Sequence, residues 1–172
     1  FRKPIRNAGI VKLVDRERIK TDGPGVWDRL RQEQPGMVSR CTAGWEALLH
    51  DPDYRRAHGE TKYFFAIYEY QGRVDGYVVY RISHNREYRN SNSTLVIREL
   101  ISATNEAEER LWRYCLDIDL ISRVEVHNRP MHDPLYWRLA DPRRLIRRPI
   151  DAVWVRIVDL PTAMEARQYM LE

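Results

Sequence analysis

The stretch that decides the fold is Thr94-Leu95-Val96-Ile97-Arg98-Glu99-Leu100-Ile101, which runs through Ser102-Ala103-Thr104 into Asn105-Glu106-Ala107-Glu108-Glu109-Arg110-Leu111-Trp112-Arg113-Tyr114-Cys115-Leu116. The first part is apolar and β-branched and reads as a strand. The second sets Ala107, Leu111, Cys115 and Leu116 on one helical stripe, and Asn105 with Glu108 has the spacing of a capping box. A short strand, Arg123 to Val126, follows the helix. A strand-to-helix-to-strand passage inside an otherwise antiparallel set argues for a mixed sheet with helices on both faces.

Upstream, Lys62 to Tyr70 and Gly76 to Ser83 flank a turn at Gln71-Gly72-Arg73 and predict a β-hairpin. A polar loop, Asn85 to Ser93, separates the hairpin from the deciding strand. Ile10 to Val14 reads as a further strand. Thr21 to Gly25 reads as a turn leading into a helix with Val26, Trp27 and Leu30, and Gln34-Pro35-Gly36 ends it. Trp45, Leu48 and Leu49 mark a second helix, closed by Asp51-Pro52. Downstream, Pro134 to Leu139 predicts a short helix, Leu145 to Arg148 and Ala152 to Val158 two more strands, and a final helix begins near Pro161. The class is α/β (α+β), with a mixed, mostly antiparallel sheet.

The chain has 172 residues, 43% hydrophobic and 31% charged, which suits one domain able to bury a core without staples. Its longest apolar run, Tyr63 to Tyr68, falls far short of the roughly 18–20 residues of a membrane span. Five Trp, ten Tyr and three Phe spread along the chain argue against disorder. Cys41 and Cys115 make neither a disulfide framework nor a metal cluster, and with no targeting signal a reducing cytoplasm fits best. Cys115 reads as a small buried hydrophobe. Of 29 basic residues only Lys3, Lys12, Lys20 and Lys62 are lysines, so the formal charge of +4 is carried almost wholly by arginine. Arginine suits fixed, bidentate contacts. The chain starts at Phe1 and stops at Met170-Leu171-Glu172 within a helix-like stretch, which reads as a piece of a longer polypeptide.

The order of elements resembles the GNAT acetyltransferase fold. Local sequence sharpens the likeness: Val96 to Leu100, Ala107 to Leu120, Asp133-Pro134-Leu135 and Ala140-Asp141-Pro142-Arg143 resemble the central region of the enhanced intracellular survival (Eis) acetyltransferases. So does Trp154-Val155-Arg156-Ile157-Val158-Asp159-Leu160-Pro161, followed by Ala163, Glu165-Ala166-Arg167 and Tyr169. The resemblance covers roughly residues 25 to 172 and implies a linker over 1–9, a degenerate GNAT-like domain over 10–160, and at 161–172 the start of a helix leading to a further domain. It also implies partners within one polypeptide, an N-terminal catalytic GNAT domain and a C-terminal sterol-carrier-like domain, with acetyl-CoA as the parent's cofactor and a homo-oligomer as its assembly.

A working GNAT domain holds the CoA pyrophosphate on backbone N–H groups at the start of its main helix, with an Arg/Gln-x-x-Gly-x-Gly/Ala loop. The corresponding residues here, Ser102 to Glu109, contain no glycine and three glutamates. Those carboxylates satisfy the helix dipole themselves and repel a pyrophosphate. The near match Arg56-Ala57-His58-Gly59 lies before the hairpin instead. No cofactor-binding residue is therefore expected in this chain. The resemblance offers Glu99 as a general base; without a cofactor beside it, Glu99 reads as a structural ion pair with one of the arginines.

For a cationic amine substrate such as an aminoglycoside or a lysine side chain, carboxylates and aromatic faces are required. Asp151 and Trp45 are the positions that could face a pocket shared with a first domain, against the plainer readings of a turn residue and a core tryptophan. His127 and His132 flank Asn-Arg-Pro-Met with no third strong ligand, so no metal is expected. Arg143-Arg144 and Arg147-Arg148 form a basic cluster that reads as a solvated or inter-domain face, and nucleic acid is not expected. Two other readings stand beside the central one: an acyltransferase with an atypical acyl-CoA site, and a protein or nucleic-acid interaction module.

Overall fold

The computed structural model describes residues 9–54, 59–84, 93–151 and 154–167. The linker at the start, Arg56 to His58, nearly all of the polar loop, Ala152-Val153 and the last residues lie outside them. The chain divides into two units, Phe1–Ala140 and Asp141–Glu172.

The first unit is a five-stranded sheet in sequential order. Its strands are β1 (Ile10–Val14), β2 (Phe64–Tyr70), β3 (Arg73–Ser83), β4 (Ser93–Ser102) and β5 (Ile121–Val126). β1 to β4 pair antiparallel and β4 pairs parallel with β5, so the sheet is mixed and mostly antiparallel. The predicted hairpin is β2–β3. Its two-residue loop has Gln71 at φ 49° and Gly72 at φ 76°, and two successive left-handed residues match the strands' own twist.

Helices α1 (Arg16–Glu33) and α2 (Thr42–Leu49) precede β2, and α3 (Asn105–Leu116) makes the crossover from β4 to β5. One face of the sheet joins Phe65, Ile67, Tyr77 and Val79 to Ile19 and Val26 of α1 and to Trp45, Leu48 and Leu49 of α2. The strand alternation turns Tyr68, Val78 and Tyr80 to the other face, where Ala107 and Leu111 of α3 pack over Gly76. Burying a side chain such as Leu111 contributes about 1.5–3 kcal/mol.

α1 begins earlier than its turn-like Thr21 to Gly25 stretch predicts, and carries Pro24 inside it. Asp15 caps it by accepting from the Arg18 N–H at 2.8 Å, and Ile19 is fully buried. Gly23 lets Trp45 approach, since a Cβ there would stand 2.9 Å from the indole. Tertiary packing thus overrides the proline, which costs a helix interior about 3 kcal/mol.

Register shifts mark two bulges. Asp75 is the extra residue of β3 opposite Tyr68/Glu69, and Arg98 that of β4 opposite Val79/Tyr80. Leu95 and Ile97 face α3 with their partners Ile82 and Tyr80, as Leu100 does with Val78. The extra residue at Arg98 therefore swings Glu99 and Ile101 to the α1/α2 face, opposite Val79 and Tyr77.

The second unit departs from the expected strands. A 3-10 turn (Pro142–Arg144) and a helix (Leu160–Glu165) are its regular elements among the described residues, and Leu145 to Arg148 is irregular. Trp154 to Val158 has the composition of a strand yet no ladder partner among the described residues, with Val155 91% exposed. A strand needs a neighbour for its backbone groups, and composition alone does not supply one.

A Cβ on Gly76 would stand 2.8 Å from Leu111 Cδ1, 3.1 Å from Ala107 Cβ and 3.1 Å from the Ile101 carbonyl oxygen. Gly76→Val is expected to lower the unfolding free energy by about 2 kcal/mol. Gly25→Ala in α1, where the new Cβ would stand 3.9 Å from Arg29 Nη1, should raise it by about 0.5–1 kcal/mol. Urea unfolding midpoints read both, and an unshifted Gly76→Val midpoint would contradict the packing of α3 on β3.

Candidate functional site

The first turn of α3 is where the fold would meet a phosphate. Its N-cap is Thr104, one residue before the predicted Asn105: the Ala107 N–H donates to Thr104 Oγ1 at 3.1 Å. Glu108 is not the reciprocal partner of a capping box, because its carboxylate is engaged elsewhere. Oε1 accepts from Arg129 Nη2 at 2.8 Å and Oε2 from Arg138 Nη1 at 2.7 Å. Arg138 Nη2 also donates to Asn105 Oδ1 at 3.0 Å.

Arg129 does more than pair Glu108. Its Nη1 donates to the Leu100 carbonyl at 2.9 Å, its Nε donates to Asp133, and its guanidinium lies 5.6 Å from the Trp112 ring. The pairing of β4 with β5 ends at Ile97/Val126, so Arg129 bridges the strands beyond the point where they part. Asp133 in turn accepts from the Leu135 N–H at 2.8 Å, at the start of the short helix α4 (Leu135–Arg138). Glu108, Arg129 and Arg138 side chains are 12%, 19% and 14% exposed, so this is a largely buried cluster. A dianion brought to this turn meets Glu108 and no glycine backbone; the residues present do not match a pyrophosphate cradle.

On the other face, Glu99 has both oxygens committed. Arg40 meets it as a fork, at 2.9 Å and 2.7 Å, and the Tyr77 hydroxyl donates to the same carboxylate at 2.6 Å. The Arg40 guanidinium stacks 3.7 Å from the Trp27 ring centroid and 4.7 Å from that of Trp45. Burial alone would lower the Arg40 pKa, but the hydrogen bond and charge of Glu99 leave it raised. Burial, and next the Glu99 charge, push the Tyr77 phenol well above its ordinary value.

Trp45 stands in this cluster, buried in the core and edge-on to Trp27 at 6.5 Å between centroids. Asp151 lies exposed in the second unit. The arginine that pairs Glu99 is Arg40, from the segment between α1 and α2. Among the described residues no three His, Cys, Asp or Glu side chains are grouped to hold a metal. Arg143, Arg144 and Arg148 are exposed. The near-match loop falls mostly on residues outside the described ones. An open cleft lined by Arg29, Arg73, Asp75 and Thr104 went unread in the sequence. Asp75 is 3% exposed and holds both arginines, Arg29 Nη2 at 3.1 Å and Arg73 Nε at 2.8 Å. The signal for it was the bulge, which no periodicity reveals.

Comparison with known proteins places these features. The profile of the family described as "Acetyltransferase (GNAT) domain" matches residues 36–157. An uncharacterized N-acetyltransferase of Streptomyces avermitilis is 36% identical over 167 residues, covering 95% of this chain and 40% of that protein. The N-acetyltransferase Eis of Mycobacterium tuberculosis is 31% identical over 94% of this chain and 38% of its own length. Among solved structures, Eis1 from Mycobacterium abscessus superposes with TM-score 0.69 at 27% identity, covering 98% of this chain and 41% of that one. A Trypanosoma brucei acetyltransferase shares the fold at TM-score 0.52 and 14% identity, over 85% of this chain and 99% of its own. The chain thus spans about two fifths of the length of the curated relatives.

Glu108→Leu removes the carboxylate shared by two largely buried guanidinium groups, leaving Arg129 to Asp133 and the Leu100 carbonyl and Arg138 to Asn105. It is expected to destabilise the chain by about 2 kcal/mol in urea unfolding, against under about 1 kcal/mol for the exposed pair member Asp117→Ala. The thiols give a second reading. Cys115 is fully buried and burial pushes its pKa from 9.0 up to about 12, whereas Cys41 is exposed. A disulfide reagent at pH 8 should label one thiol quickly, and the second only on unfolding. The unfolded chain releases the Cys115 proton near 9.0 while the folded chain keeps it to about 12. The unfolded state then binds fewer protons in that window, so stability falls as pH rises through it. Rapid labelling of both thiols in the folded chain would overturn this.

Proposed function

We propose a role that starts from one fact: this chain belongs to the acetyltransferase (GNAT) domain family and is Eis-like. It serves as the central, non-catalytic GNAT-like domain of a longer, cytoplasmic, acetyl-CoA-dependent N-acetyltransferase that acts on cationic amines such as an aminoglycoside or a lysine side chain. It scaffolds an N-terminal catalytic GNAT domain, precedes a C-terminal sterol-carrier-like domain, and contributes oligomer contacts. Asp151 in the second unit and Trp45 in the first are, each by itself, the residues it would offer to an amine substrate.

The observation that carries the reading is the Glu108 cluster. Acetyltransferases of this fold bind acetyl-CoA with its pyrophosphate at the first turn of the main helix. Here that turn is glycine-free and holds a carboxylate clamped by Arg129 and Arg138 at 2.8 Å and 2.7 Å. A pyrophosphate at this turn would find no glycine for close backbone approach, and Glu108 already engages the two nearby guanidinium groups that could otherwise meet it. Glu99 supports the same reading, since its carboxylate is engaged in a two-point ion pair and a phenol hydrogen bond, the arrangement of a structural group. Arg40 and Tyr77 occupy both of its oxygens.

Calorimetric titration of acetyl-CoA into this chain tests it. The expected result is no saturable heat up to about 1 mM, a concentration that detects even binding of about −4 kcal/mol. In the longer polypeptide the expected stoichiometry is one acetyl-CoA per chain. Saturable micromolar binding to this chain, or two equivalents on the longer one, would establish an atypical acyl-CoA site instead.

A further inference from the structure

Arg40 is held as a ligand is held. Its guanidinium lies in the corner made by the edge-on rings of Trp27 and Trp45, at 3.7 Å and 4.7 Å, and forks onto Glu99 at 2.9 Å and 2.7 Å. The Tyr77 hydroxyl shares the same carboxylate at 2.6 Å. Two indoles within cation–π range and a carboxylate that accepts from both terminal nitrogens select a flat, five-donor guanidinium over a compact ammonium.

The walls and the occupant come from different kinds of structure. Trp27, Trp45, Tyr77 and Glu99 belong to α1, α2, β3 and β4, and Tyr77 is fully buried. Arg40 comes from the segment between α1 and α2, and no residue from 31 to 44 is buried. That segment turns at Gly36, φ 87°, and exposes Val38 by 74%. Its Val38 carbonyl accepts from Trp27 Nε1 at 3.0 Å. Withdrawing the segment therefore removes the Arg40 guanidinium from the cage without extracting any core side chain.

We propose that Trp27, Trp45, Tyr77 and Glu99 form a guanidinium-selective binding site that Arg40 fills as an internal ligand. The site takes an external guanidino group when the Arg40 guanidinium is removed from it. Tethering gives Arg40 an effective concentration in the millimolar range, so an outside guanidino compound competes poorly against it. The proposal rests on the reading of Glu99 as an ion-pair partner and not on the state of the α3 turn. Its failure is thus separable from that of the acetyl-CoA reading.

The test is rescue of Arg40→Ala in the intact protein, following thermal unfolding and tryptophan fluorescence. Methylguanidinium and methylammonium chloride are titrated at matched ionic strength. Methylguanidinium should raise the midpoint and saturate, with methylammonium about tenfold weaker. The wild type should respond to neither over that range, and Glu99→Gln added to Arg40→Ala should abolish the response. Equal effects of the two cations, or no saturating effect of methylguanidinium, would overturn the proposal. Should Arg40→Ala not fold, Arg40→Gln is titrated in the same way, with the same two outcomes decisive.

Discussion

A carboxylate drawn below the protein surface has to be met by a cation with good geometry, and this constraint sets the seams of the first unit. Asp75 joins the sheet to α1 through Arg29, Glu99 joins β4 to the segment between α1 and α2 through Arg40, and Glu108 joins α3 to the residues after β5 through Arg129 and Arg138. Each pair contributes little net stability, since desolvation offsets most of the attraction. Removing one member is another matter, because the remaining charge is stranded. The clusters therefore hold register and placement more than they supply free energy.

The same constraint gives the chain's arginine usage a structural reading. Arg40 and Arg129 each engage several acceptors or faces at once, a carboxylate fork with two indoles in one case and two carboxylates with a carbonyl in the other. A lysine ammonium has no plane to stack and no fork to share. Composition showed the preference; only coordinates show that it is spent on internal geometry.

What was legible in the sequence follows from what is local. The β2–β3 hairpin was written in Gln71-Gly72, where consecutive left-handed residues are required, and α3 in the stripe from Ala107 to Cys115. The mixed sheet followed from one crossover between β4 and β5. The rest depended on partners distant in sequence. Pro24 announced a helix start and sits mid-helix, because burial of Ile19 and the fit of Gly23 against Trp45 decide the matter. Trp154 to Val158 carries strand composition, but a strand is a relation between two segments. The family resemblance named Glu99 from its strand; no pattern named Arg40, which lies 59 residues away.

The bulge at Arg98 decides how the candidate site reads. With unbroken alternation, Glu99 would share the face of Leu95 and Ile97, against α3 and far from any aromatic cage. One extra residue turns it to the opposite face, where Tyr77 and Arg40 donate to it. Leu100 returns to the apolar face by the same step, and its carbonyl receives Arg129. A single register shift thus aims a carboxylate at one cluster and presents a backbone acceptor to the other. On one side of the sheet Glu99 is met by Arg40, and at the α3 turn Glu108 is met by Arg129 and Arg138, so each carboxylate that the register sets is answered by an arginine from a segment distant in sequence.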